Sequence, residues 1–144
     1  MLTGFFALMR LGELVGPDDN SLLDPRKLTS RTSVAMSDAD YRFFLPSHKA
    51  DKFFEGNTII IQRHHLVVDP YTHFKNYLVS RDHQFPFSTN LWLRADSSVP
   101  THSFFLNRLR LFFDSNVAGQ SLRAGGATSL ALNGVPLHLI QAIG

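Results

Sequence analysis

The chain has 144 residues, 44% of them hydrophobic and thirteen of them Phe, which is enough for one domain to bury a sizeable core. Lys and Arg number 14 against 12 Asp and Glu, and a net charge of +2 is too mild to mark a nucleic-acid binder by itself. The absence of Cys excludes disulfides and thiolate metal sites, and no apolar run approaches the roughly 20 residues of a membrane span, a pattern that fits a soluble intracellular protein.

The opening Met1 to Met9 is apolar but lacks a basic region before it, and Arg10 and Glu13 interrupt it, so it does not read as a signal peptide. Residues 2–15 are expected to form a helix that is apolar almost all round and is stopped by Gly16-Pro17. Arg10 and Glu13, three positions apart, share a face of such a helix. A buried Arg needs a partner or an anion. The pair therefore reads either as a structural ion pair or as an Arg held at a cleft floor for a phosphate, with Glu13 fixing its position.

Residues 18–31 are polar and read as a surface loop. Residues 32–36, 41–45 and 58–62 read as three strands of a small antiparallel sheet. Lys49 falls in the polar loop between the second and third strands, where a Lys is ordinarily just solvated. The positive excess of the chain also falls there, around Lys49 and Lys52, as it would on any solvated surface.

Asp69-Pro70 marks a helix start, with Asp as N-cap and Pro at the first helical position, and the helix is expected to run to about Arg81 with Phe74, Tyr77 and Leu78 on the core face. Thr101 caps a further helix to about Asp114, whose Phe105, Leu109, Phe112 and Phe113 mark a buried face. Another helix starts near Gln120 or Ser121 and ends at Asn133-Gly134, and Pro136 begins a last one. The fold class is thus mainly α with a small three-stranded antiparallel sheet (α+β), in one domain over 1–144.

His64-His65, His73 and His83 invite a metal reading, but adjacent histidines on a strand point to opposite faces and no carboxylate lies at ligand spacing, so no metal is expected. Gly125-Gly126 sits inside a predicted helix and lacks the Lys-Ser/Thr ending of a phosphate loop; close helix packing explains it better.

Three boxes in order carry a resemblance. Arg10-Leu11-Gly12-Glu13-Leu14 resembles the first arginine box of the tyrosine recombinases, the phage-type integrase family, Arg-x-x-Glu-Leu on a helix. Leu45-Pro46-Ser47-His48-Lys49-Ala50-Asp51 is similar to that family's β-hairpin lysine. Gln120-Ser121-Leu122-Arg123 is similar to its His-x-Leu-Arg box, continued by Asn133-Gly134-Val135-Pro136 and Ile140-Gln141. The wording Ser121-Leu122-Arg123-Ala124-Gly125-Gly126-Ala127-Thr128 is similar to versions in recombinase-like proteins of fungi and their mobile elements.

The resemblance implies a catalytic domain that breaks and rejoins double-stranded DNA through a phosphotyrosine, without cofactor or metal. In it Arg10 and Arg123 hold the non-bridging phosphate oxygens, Lys49 protonates the leaving 5′-oxygen, and Glu13 supports Arg10. Gln120 stands where most of the family has His; it can contact a phosphate but cannot exchange a proton near neutral pH. Tyr41, Tyr71 and Tyr77 all precede the Arg123 box and read as structural, so no nucleophile is expected in this chain. The resemblance further implies a domain truncated at both ends, without the family's DNA-clamping domain and nucleophile segment. A non-catalytic remnant and a DNA-binding module are the alternatives. Homo-oligomers on DNA in the full-length protein, nuclear location if eukaryotic, and no membrane association complete the expectation.

Overall fold

The structure, a computed structural model, describes residues 1–47, 55–63 and 68–143. Among the described residues five α-helices and one sheet follow in chain order: α1 (Leu2–Phe6), β1 (Ala35–Met36), β2 (Asp40–Leu45), β3 (Asn57–Gln62), α2 (Pro70–Gln84), α3 (His102–Leu109), α4 (Gly119–Leu132) and α5 (Leu137–Ile143). The three strands pair antiparallel in the order β1-β2-β3, with Tyr41 opposite Ile61, Phe43 opposite Ile59 and Leu45 opposite Asn57. This is the mainly α architecture with a small antiparallel sheet that the periodicity predicts.

Alternation on β2 buries Tyr41, Phe43 and Leu45 and leaves Arg42 and Phe44 outward, the period-2 pattern of a strand with one face on the core. α2 lays Phe74 and Leu78 on that inner face, and the Tyr41 and Phe74 rings stack with centroids 4.1 Å apart. Asp69 caps α2 by accepting the N–H groups of Tyr71 and Thr72, and the helix runs one turn past the expected end.

The long helix expected over 2–15 is not formed. α1 ends after Phe6, and the chain turns through Leu8 at φ 51. The Leu8 N–H donates to the Phe5 carbonyl at 3.4 Å and the Met9 N–H to the Gly4 carbonyl at 2.9 Å, the bond pair of a Schellman termination. Leucine replaces the usual glycine there at a cost of about 1 kcal/mol. Burial holds it, since Leu8 is 2% exposed and its side chain lies over Gly126 of α4. Arg10 consequently leads into a short 3₁₀ turn, Leu11–Glu13, rather than standing inside an α-helix.

A second correction concerns α3. It ends at Leu109, and i→i+3 bonds at Leu111 and Phe112 wind its continuation away from helical periodicity. Leu109 is buried and Phe105 packs on the core, but Phe112 and Phe113 are exposed.

The stretch between α2 and α3 is irregular yet anchored. The buried Arg81 guanidinium donates to Asp82 and to the carbonyls of Phe85, Ser88 and Asn90. The Tyr77 hydroxyl donates to the Leu91 carbonyl and accepts the Leu93 N–H, both at 2.8 Å. Among the described residues no helix is long and apolar enough to cross a membrane.

Candidate functional site

α4 crosses α1 at very short range, and its glycines are the reason. A Cβ on Gly126 would meet the carbonyl oxygen of Phe5 and, at 2.6 Å, Cδ2 of Leu8; a Cβ on Gly119 would run into the Leu11 side chain. The two glycines lie on either side of Arg123 along the helix, so the backbone contact they allow fixes how near Arg123 comes to the 7–13 segment. The expected close packing at Gly125-Gly126 is therefore found, with Gly126 as the tighter of the two positions.

Arg10 and Arg123 line one cleft of about 230 Å³ together with Glu13. The ends of β2 and β3 supply Leu45, Asn57 and Ile59 to its wall, and α5 supplies Ile143. Two arginines from positions 113 residues apart in sequence thus face the same space. Larger cavities lie elsewhere, one of about 410 Å³ beside Pro70 and Phe105 and one of about 310 Å³ beside Leu23 and Val99, but no arginine lines either. Charge, rather than volume, picks out the smaller cleft.

The two arginines differ in their ties. The Arg10 backbone N–H donates to Glu13 Oε2 at 2.8 Å and its Nη1 to Glu13 Oε1 at 3.3 Å. Glu13 is largely covered, with a side chain 10% exposed against 42% for Arg10, so the carboxylate is the fixed member and the guanidinium keeps donors facing the cleft. Arg123 is half-buried and has no hydrogen-bond, ion-pair or ring partner among the described residues. Several other arginines are engaged, Arg31 on Asp82 at 2.6 Å, Arg81 on three carbonyls, Arg94 on Asp96 and Arg108 over the Phe104 ring, while Arg110, also without a side-chain partner among the described residues, is exposed. A guanidinium without a carboxylate keeps its donors free for an anion. Beside a second arginine, it forms a ready site for a tetrahedral oxyanion.

Gln120, one turn before Arg123 on α4, is exposed and is not among the residues lining the cleft. Lys49 lies outside the described residues, in the connection whose two ends, Leu45 and Asn57, line the cleft. His64 and His65 also lie outside them. Among the described residues no group of three His, Asp or Glu side chains comes together as a metal site.

All three tyrosine hydroxyls are hydrogen-bonded within the fold. Tyr41 is fully buried, its hydroxyl 3.1 Å from that of Thr3, and burial pushes its phenol up to about 12. The Tyr71 hydroxyl donates to the Ser37 carbonyl at 2.7 Å. Tyr77, whose phenol burial also raises, bridges Leu91 and Leu93. A nucleophile needs the opposite environment, an accessible hydroxyl whose ionisation is favoured. Asn57 is a cleft residue that sequence reasoning missed; its signal was a polar residue in the row of β3 otherwise filled by Ile59 and Ile61.

No protein-family model and no curated protein matches the sequence. Among solved structures the chain is similar to XerH, a site-specific recombinase captured bound to its difH substrate in a pre-cleavage complex, with a TM-score of 0.56 and 17% identity. The superposition covers 98% of this chain and 39% of that one, so the chain spans about two fifths of the recombinase's length. The fold implied by the three boxes is the fold found: over nearly its whole length the chain is folded like part of a site-specific recombinase.

Proposed function

We propose that this chain is a phosphate-cradling catalytic-type domain that acts on double-stranded DNA, in the manner of DNA breaking-rejoining recombinases and integrases. One observation carries the reading: Arg123, half-buried and without a protein partner among the described residues, shares a cleft with Arg10. Two guanidinium forks can take the non-bridging oxygens of one phosphodiester and stay charged at any working pH. Held by Glu13, Arg10 is pre-organised for charge that builds on those oxygens as the phosphorus is attacked. Lys49 is assigned to the leaving 5′-oxygen as proton donor and Gln120 to a phosphate contact, both on the strength of the boxes they occupy.

Binding without cleavage is the form of this reading favoured for the 144 residues themselves. Tyr41, Tyr71 and Tyr77 are committed to structural hydrogen bonds, so the nucleophile is assigned to residues outside these 144, in a longer form of the chain or in a second molecule. Assembly of several copies on DNA, action in the nucleus if the source is eukaryotic, and an origin in a fungal mobile element belong to the same proposal. The last of these rests on the wording of residues 121–128.

Duplex oligonucleotides incubated with the chain test both parts. Salt-sensitive binding is expected at about 50 mM salt, with no covalent protein–DNA adduct on a denaturing gel. An adduct would make one of the three tyrosines a nucleophile and overturn its structural assignment. Absence of any binding at that salt would overturn the DNA reading.

A further inference from the structure

β3 carries a break in its pattern at the edge of the cleft. Its inward row, opposite the buried Tyr41, Phe43 and Leu45 of β2, runs Ile61, Ile59, Asn57. Ile61 and Ile59 are apolar and the row turns polar at the exposed Asn57, where the strand begins; Ile59 and Asn57 both line the arginine cleft. Asn is depleted in strands, and its cross-strand partner here is the buried Leu45. Gly56, at φ 65, sets the strand entry, and a Cβ there would collide with the Phe44 ring and the Leu45 carbonyl oxygen. The backbone immediately before Asn57 is therefore closely constrained. Asn57 lines the same cleft as Arg10 and Arg123, and its side-chain amide has no hydrogen-bond partner among the described residues.

We infer that Asn57 is a further ligand of the anion: its Nδ2 donates to an oxygen of the phosphate gripped by Arg10 and Arg123. A neutral amide adds a donor without adding charge, so it serves as a geometric reader of the oxyanion while the arginines supply the electrostatic pull. The inference rests on the phosphate reading above and adds a residue that none of the three boxes contains.

Inorganic phosphate titrated into the ¹⁵N-labelled 144-residue chain, with the Asn57 side-chain amide followed by NMR, tests it. The amide is expected to shift with the same saturation curve as the Arg123 guanidinium, and Asn57→Ala to bind phosphate about tenfold more weakly. Asn57→Ile, which continues the apolar row, is expected to melt no lower than the wild type and still to bind about tenfold more weakly. If Arg123→Ala abolishes phosphate binding while the Asn57 amide stays unmoved and both Asn57 variants bind like the wild type, Asn57 is not a ligand and the arginine cradle stands alone. If Arg123→Ala binds phosphate as the wild type does, the cradle itself fails and the role of Asn57 falls with it.

Discussion

Glu13 grips Arg10 at both ends, accepting its backbone N–H through Oε2 at 2.8 Å and its guanidinium through Oε1 at 3.3 Å. Because the carboxylate is the more buried partner, it dictates where the guanidinium stands, and the 3₁₀ turn over Leu11–Glu13 is closed by the same contact. Removing Glu13 should therefore be felt twice. Glu13→Ala is expected to lower unfolding stability by about 1–2 kcal/mol in urea titrations. In a double-mutant cycle with Arg10→Ala, DNA binding should show a coupling of about 1 kcal/mol, because a misplaced Arg10 contributes little more than an absent one. Additive losses would leave Glu13 a purely structural residue.

Close approach of α4 to α1 rests on Gly126 more than on its neighbour. A methyl on Gly126 meets backbone oxygen and Leu8, neither of which can swing aside, whereas on Gly125 it meets only the edge of the Phe5 ring, at 3.2 Å. Gly126→Ala should destabilise by about 1–3 kcal/mol despite alanine's better helix propensity. Gly125→Ala should be near neutral. Thermal melts of the two variants check the contrast, and equal melting temperatures would mean that α4 does not sit this close.

Tyr41 provides a pH signature. Its folded phenol is raised from 10.0 to about 12, chiefly by burial, so the neutral form is the one the fold favours. The stability this contributes is fully present below the unfolded value of 10.0 and is lost as pH rises from there through about 12. Over that window Tyr41 should make unfolding easier by about 2–3 kcal/mol, and Tyr41→Phe should remove that share and leave the part due to the also raised Tyr77. Ultraviolet titration of the phenols, read against urea unfolding at each pH, makes the comparison. A Tyr41 that ionises at its ordinary value would indicate an accessible hydroxyl, contrary to its structural assignment.

Much of the frame was legible because it depends on local pattern. Strand alternation at 41–45 and the Asp69-Pro70 start each encode their element in neighbouring residues. Leu8 was not legible: nothing in an apolar run announces a left-handed residue, and its conformation is decided by burial over Gly126, which follows more than a hundred residues later. Phe112 and Phe113 fit a helical face by spacing, but that spacing loses its meaning once α3 unwinds after Leu109. Arginine roles divide the same way. Composition cannot separate Arg81, sunk into three carbonyls, from Arg123, left without a partner among the described residues; only the three-dimensional inventory of carboxylates and carbonyls does so.

The most direct measurement is the affinity of the wild type and Arg123→Ala for a short DNA duplex across a range of salt concentrations, with a thermal melt of each protein. If Arg123 grips a phosphate, the variant should bind more weakly, its log–log salt slope should flatten by about one, and its melting temperature should stay within a degree or two. An unchanged slope would contradict the phosphate cradle, and a large fall in melting temperature beside it would make Arg123 a structural arginine.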